Sequence, residues 1–362
     1  MVADVPDLLR LVAVPALGWA AWRDVKVRRV PNRVWYPLAA LGAALLAWEA
    51  WQLGVLAGVD TVQARLFVVR VAVSLGMVVP LSYLIWRLGG FGGADAKAVM
   101  ALAVLLPTFP TYVLTVGGDV FVVPPAVGRS ALGVFSLAIL TNAALLSATY
   151  PAYLAVRNLL AGNRSRLAFV GKRVPASSVQ KRHGSLLETP EGYTRRGLDL
   201  DALRMYIRWR GVDLTDLRAD PEQYRDAASL PEDPGDPTDG AIVPDGGVEG
   251  GRDDPGRSDG ATTEDREADD EGVQADARPE QSAQSEQAYD DPWGAAAFLD
   301  DVGSAWGTTA ADLRGGLEVL TTRDRVWYSP GIPFIVPIFL GLVVGLLYGD
   351  LLFSALRALG LG

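Results

Sequence analysis

The chain of 362 residues contains no cysteine, one histidine and only four lysines (Lys26, Lys97, Lys172, Lys181) beside 29 arginines. Without cysteine there is no disulfide framework, no cysteine-ligated zinc and no thiol nucleophile. One histidine excludes a multi-histidine metal site. Any Ser-His-Asp triad would depend on His183, which lies in the polar stretch Gln180-Lys181-Arg182-His183-Gly184 and reads as a loop residue. Apolar residues are plentiful and unevenly placed. They make up half the chain and crowd into residues 8–157 and 331–356, whereas acids crowd into 219–291. That last segment holds 23 acidic residues against five arginines, a net charge of −18 in a chain of net −9, so the remainder carries about +9. The acidic balance therefore belongs to one segment and indicates no nucleic-acid surface.

A membrane-crossing helix needs about 20 mainly apolar residues to span roughly 30 Å of hydrocarbon. Six stretches are expected to meet this: about 8–22, 34–59, 66–86, 96–116, 131–156 and a sixth within 331–362. Arg10 is expected to snorkel from the first. No basic residue precedes the first stretch, and Asp4 and Asp7 do, which argues against a cleaved signal peptide. The expectation is an all-α polytopic membrane protein. Five helices would fall in residues 1–157. A basic subdomain (158–218), an acidic disordered insert (219–291) and a return segment (292–330) would separate them from the sixth.

Basic residues set the orientation. Arg23, Lys26, Arg28, Arg29 and Arg33 follow the first span, Arg87 and Lys97 flank the third loop, and Arg157, Arg164, Arg166, Lys172 and Arg173 follow the fifth. The alternate loops carry only Arg65 and Arg129. Both termini are thus expected outside and residues 158–330 in the cytoplasm, with Trp22, Trp35, Tyr36, Trp86, Trp327 and Tyr328 in interfacial belts. Asn163-Arg164-Ser165, a glycosylation pattern, falls on the inner side and is discounted.

Leu200, Leu203, Tyr206 and Ile207 share one helical face with arginines around it, and Asp199 or Asp201 can cap the start. This helix either lies on the inner leaflet or packs into a small subdomain. Residues 219–291 are rich in Gly and Pro and nearly free of large apolar side chains, too few to offset chain entropy. Residues 294–320 read as a helix leading back to the membrane.

Charges at membrane depth are costly and mark function. Asp24 closes the first span. Asp95 opens the fourth within Gly89-Gly90-Phe91-Gly92-Gly93-Ala94-Asp95-Ala96-Lys97. They lie 71 residues apart, but two crossings separate them, and an even number returns the chain to the same face. Two carboxyl groups at one depth can divide acid and base roles, since like charges close together do not both ionise easily. The glycines permit close backbone approach. They could hold an extended peptide by main-chain hydrogen bonds, which makes Gly92, Gly93, Ala94 and Lys97 candidate substrate contacts. The plainer reading is a tight turn with Asp95 as a helix cap, and capping does not exclude catalysis.

Two stretches resemble the archaeal type IV prepilin and preflagellin (prearchaellin) peptidases, membrane aspartyl proteases named for a Gly-x-Gly-Asp motif. They are Asp24-Val25-Lys26-Val27-Arg28-Arg29-Val30-Pro31-Asn32 and Gly92-Gly93-Ala94-Asp95-Ala96-Lys97, and Ser329–Pro337 adds a third match. Ala94 departs from the bacterial form of the motif and fits the archaeal one. The resemblance covers both membrane blocks and not the acidic insert. It implies that Asp24 and Asp95 are catalytic, that no cofactor or metal is needed, and that the partners are pilin-like or archaellin precursors. These would be cut after a short basic leader at the cytoplasmic face. Bacterial relatives that methylate the new N-terminus carry a cysteine-bearing domain. This chain has no cysteine, so no methyltransferase activity is expected.

The helix macrodipole favours the anion at Asp95, near a helix N-terminus, and the neutral acid at Asp24, near a C-terminus. Arg28, Arg29 and Lys97 could touch substrate or lipid phosphate, with solvated snorkelling as the plainer reading. Glu49 and Asp350 read as outer interfacial residues, Asp60 and Asp119 as solvated. The insert could attract a basic leader, or simply act as a solvating tail suited to high salt. A rival function is a transporter or channel component binding protons or cations at the Asp pair. Broken helices with glycine at a midplane site would favour it. Here the glycines lie at one interface. A third reading, an idle scaffold that presents the insert, would leave both intact motifs without a purpose.

Overall fold

The computed structural model describes residues 3–360 except 59, 117–118, 126–129, 131, 195–196, 243–290 and 332. The expected disorder of the insert falls, for residues 243–290, outside the described residues. Along the chain run α1 (Val5–Arg10), α2 (Ala13–Val27), α3 (Trp35–Gln52), α4 (Val62–Val73), α5 (Val79–Arg87) and α6 (Gly93–Leu105). A hairpin of β1 (Tyr112–Val116) and β2 (Asp119–Val123) leads to α7 (Phe135–Leu160) and β3 (Lys172–Pro175). Then come β4 (Ser185–Leu186), β5 (Glu188–Thr189), β6 (Gly192–Tyr193), α8 (Leu200–Arg210), α9 (Leu214–Ala219) and α10 (Pro221–Arg225). After the undescribed segment follow α11 (Ala295–Val302), α12 (Ala310–Thr322), β7 (Arg325–Ser329), α13 (Ile335–Leu347) and α14 (Leu351–Ala358). The chain forms two compact units, one of residues 1–170 and 331–362, the other of residues 171–330.

In the first unit, three helices among the described residues are long and apolar enough to cross a membrane: Val5–Val27, Val62–Arg87 and Phe135–Leu160. A fourth is reached if α13 and α14, bent by 59°, count as one span. The sequence expectation of six is therefore met only in part. α3 is helical as expected, but Trp, Tyr, Glu49 and Gln52 at its ends lower its apolarity. The expected span 96–116 is cut short. α6 has 13 residues, a rise of about 20 Å. Pro107 and Pro110 cannot continue the helix, and the Tyr-Val-Leu-Thr-Val run that follows favours a strand. The all-α expectation is corrected by this hairpin, paired antiparallel from Tyr112↔Val123 to Val116↔Asp119, and by the sheets of the second unit.

Close helix contacts need glycine. A Cβ on Gly42 of α3 would stand 2.7 Å from the Leu105 backbone of α6, and one on Gly341 of α13 would stand 2.7 Å from the Ile139 carbonyl of α7. α4 and α5 are joined by a π turn, Ser74–Val78. The buried Ser74 hydroxyl donates to the Ala103 carbonyl at 2.7 Å and pairs with Ser136 at 2.7 Å, tying three helices together. Asn142 manages the α13–α14 break: its Nδ2 donates to the Gly349 carbonyl at 2.9 Å, and its Oδ1 accepts from the Leu351 N–H at 2.8 Å. Asp350 is buried and caps α14 through the Phe353 N–H at 3.0 Å.

Arg10 does not snorkel. It is 2% exposed, and its guanidinium meets Glu49 at 2.7 and 2.6 Å, Asp7 at 3.0 Å and the Leu105 carbonyl at 2.9 Å. Glu49 is thus a partner of Arg10, not merely an interfacial acid. Asp60 is exposed and pairs with Arg65.

In the second unit the strands order β3–β7–β4, antiparallel, beside the β5–β6 pair. Leu200, Leu203, Tyr206 and Ile207 are buried in a core with Trp293, Phe298, Leu317 and Val326. Of the two readings for α8, the packed subdomain holds and the leaflet helix does not. Asp199 caps α8 through the Asp201 N–H at 2.7 Å. Burial pushes its carboxyl up to about 6, against the hydrogen bond from Asp201 that holds it down. Residues 219–242, placed in the acidic insert on composition, are instead held by specific bonds. The Gly235 N–H donates to the Trp209 carbonyl at 2.8 Å, and Arg208 Nη2 donates to the Ala241 carbonyl at 2.6 Å. These bonds to α8, with Tyr224 and Leu230 packed against the core, hold a stretch that is poor in large apolar residues. The single return helix expected over 294–320 is two, broken at Gly303 (φ 72°).

Candidate active site

Asp24 stands in the last turn of α2 and Asp95 in the first turn of α6, the two helix ends expected from sequence. Both are buried, at 8% and 9% exposure. α2 ends at Arg28, whose N–H donates to the Asp24 carbonyl at 3.0 Å. Pro31 then rules out a further turn. α6 begins after the glycine run, and the Gly92 N–H donates to Asp95 Oδ2 at 3.0 Å. A Cβ on Gly92 would also stand 3.0 Å from that oxygen. A side chain there would press on the carboxylate, so the glycine is needed for space as well as for the turn.

A third element closes the arrangement. The loop that enters α13 lies here: a Cβ on Gly331 would stand 3.5 Å from Arg28 Nη1. Two aspartates 71 residues apart thus stand at helix ends that the Lys97–Asn32 hydrogen bond ties together.

Of the other predicted contacts, Gly93 opens α6, and Ala94 packs against the apolar core as part of the wall. Lys97 donates from Nζ to Asn32 Oδ1 at 3.0 Å, joining the second motif to the Val30-Pro31-Asn32 turn of the first. Phe91, from the glycine loop, stacks on Phe334, just before Ile335, with ring centroids 4.7 Å apart. Sequence reasoning missed the Gly92 N–H as a donor to Asp95 and read Arg28 as solvated. A hydrogen-bond donor on the main chain leaves no mark in the sequence. Arg28 carried a sign only in its position, four residues beyond Asp24. Among the described residues no group of three His, Asp or Glu side chains is arranged to hold a metal ion.

Such a pair can share one proton, place a water between an ionised and a protonated carboxyl group, and accept an extended peptide along the open glycine backbone. Residues 11–151 match the type IV leader peptidase family, so the resemblance drawn from the two aspartate motifs is borne out. The chain is also similar to the prepilin peptidase EppA of Methanothermobacter thermautotrophicus, 28% identical over 120 residues, 31% of this chain and 27% of that relative. The chain thus spans just over a quarter of that curated relative's length.

Proposed function

We propose that the chain is an aspartic endopeptidase of the membrane that removes the basic leader peptide of pilin-like or archaellin precursors. The observation that carries the reading is that Asp24 and Asp95 are both buried at helix ends tied together by the Lys97–Asn32 hydrogen bond. The ionised carboxylate takes a proton from a bound water, and the resulting hydroxide attacks the scissile carbonyl carbon. The protonated carboxyl group gives its proton to the carbonyl oxygen, forming a neutral tetrahedral diol. Collapse breaks the C–N bond, and a proton passes to the leaving amine. The Gly92 N–H orients Asp95 through the cycle. The glycine loop holds the peptide main chain, beside the apolar surface of Phe91 and Phe334.

The excess of basic residues in alternate loops supports a site at the cytoplasmic face, with residues 158–330 inside and the termini outside. A leader rich in Lys and Arg would approach from there while the apolar segment after the cut stays in the bilayer. No methyl transfer is proposed.

The test is co-expression with a pilin-like precursor, read as a gel shift on cleavage. Asp24→Asn and Asp95→Asn each abolish the shift, whereas deletion of residues 243–290 leaves it. Cleavage by either single variant would overturn the paired assignment.

A further inference from the structure

Arg28 holds an unusual place. It is one of four non-glycine residues with positive φ among the described residues, at φ 56° and ψ 22°, and it ends α2 in the left-handed conformation. That conformation at a helix end favours glycine or asparagine, because a Cβ crowds the following carbonyl. On backbone grounds an arginine is a poor choice. It is a poor choice for packing too, since its Nε is buried and has no hydrogen-bond partner among the described residues. A buried donor without a partner costs stability and calls for a reason.

The surroundings supply one. The guanidinium lies against the loop that enters α13: a Cβ on Gly331 would stand 3.5 Å from its Nη1. The Arg28 N–H donates to the Asp24 carbonyl at 3.0 Å, one turn beyond that residue, and the turn that follows it is tied to the start of α6 by the Lys97–Asn32 hydrogen bond at 3.0 Å. Residues 331–347 contribute no titratable group to this corner. Other cations of this region also have partners. Arg23 donates to the Arg29 carbonyl at 3.0 Å, Lys26 lies over the Trp22 ring, and Lys97 meets Asn32.

We propose that Arg28 is the positioning residue of the aspartate pair, a fixed cation that holds the pair in its singly charged, reactive form. The proposal rests on the peptidase reading above. Two buried acids with no cation nearby would tend to be fully protonated, and the doubly protonated pair has no base to activate water. A cation that donates no hydrogen bond to either carboxylate biases the charge without occupying the oxygens that must handle water and substrate.

The experiment uses the full chain in lipid vesicles and a synthetic probe with a basic leader joined to an apolar segment. Wild type is compared with Arg28→Asn, Arg28→Gly and Arg28→Lys. The Asn and Gly variants suit the left-handed backbone, so both fold at least as well as wild type by thermal unfolding. Both lose kcat by about tenfold or more at neutral pH, the rate equivalent of a weakened charge contact, with KM little changed. Removing a cation makes both carboxyl groups easier to protonate, so their pH-rate profile moves up by about one pH unit. Arg28→Lys restores most of the rate and the profile. The inference is overturned if Arg28→Asn keeps the wild-type rate and profile. It is equally overturned if activity falls only as folded protein is lost with the profile unmoved, or if Lys does no better than Asn. A wild-type chain that does not cut the probe, or an Asp24→Asn chain that does, overturns the peptidase reading itself.

Discussion

Replacing Arg10 by Met removes a buried cation and leaves its partners in place. Glu49 loses contacts at 2.7 and 2.6 Å, Asp7 loses one at 3.0 Å, and the Leu105 carbonyl loses its donor at 2.9 Å. Breaking a buried pair by removing one partner costs about 3–5 kcal/mol, because the remaining charge stays desolvated. The Glu49 and Asp7 side chains keep 17% and 14% exposure, beside a polar cavity of about 450 Å³ that Arg70, Gln52 and Gln63 also line. Water can reach them there, and Asp7 retains the Thr111 N–H at 2.8 Å, so the lower end applies, about 3 kcal/mol. At about 2–4 °C per kcal/mol, the apparent midpoint falls by roughly 6–12 °C. The assay is thermal unfolding of the purified chain in detergent, followed by gel filtration. The double variant Arg10→Met with Glu49→Met recovers most of the loss, giving a coupling of about 2 kcal/mol, because apolar replacement of a whole buried pair is near neutral. An unchanged midpoint in Arg10→Met, or additive losses in the double variant, would refute the reasoning.

Other expectations follow from single positions. Gly42→Ala places a Cβ 2.7 Å from the Leu105 backbone, where overpacking costs about 1–3 kcal/mol, read as a lower midpoint in the same assay. Tolerance of alanine there would show that α3 and α6 are not so closely packed. In the second unit, the folded state raises the Asp199 carboxyl to about 6. The folded state therefore binds a proton that the unfolded chain releases, so stability is greatest below the ordinary carboxylate range and falls as pH rises through about 6. At neutral pH the loss is at most about 3 kcal/mol. Asp199→Asn keeps the cap and flattens this slope, measured by hydrogen exchange of the α8 amides between pH 4 and 7. A slope unaltered by the substitution contradicts the assignment.

Much of the site was legible because it obeys counting rules. Asp24 ends one apolar run, Asp95 begins another, and two further apolar stretches lie between them. The glycine run was legible as a close backbone approach, and Gly92 proves to be one. What escaped was whatever depends on pairing between distant segments. Arg10 and Glu49 lie 39 residues apart, and nothing local says that one neutralises the other. The hairpin after α6 was swallowed by an apolar window that did not weigh Pro107 and Pro110 as helix breakers. Composition placed residues 219–242 with the insert because few large apolar residues occur there, yet hydrogen bonds to α8 hold them. Asp350 was read as lying at an interface, and it does close an apolar helix, though as the buried cap of the next.

The account depends most on the meeting of Asp24 and Asp95. The chain has no cysteine, so Asp24→Cys with Asp95→Cys introduces the only two thiols. A protease site placed in the loop near Leu56 lets the chain be cut between them. The account predicts that the shortest bis-methanethiosulfonate cross-linker, applied to the protein in membranes, joins the two fragments until a reductant is added. Fragments that separate without reductant, while each single-cysteine chain is labelled normally, would contradict it.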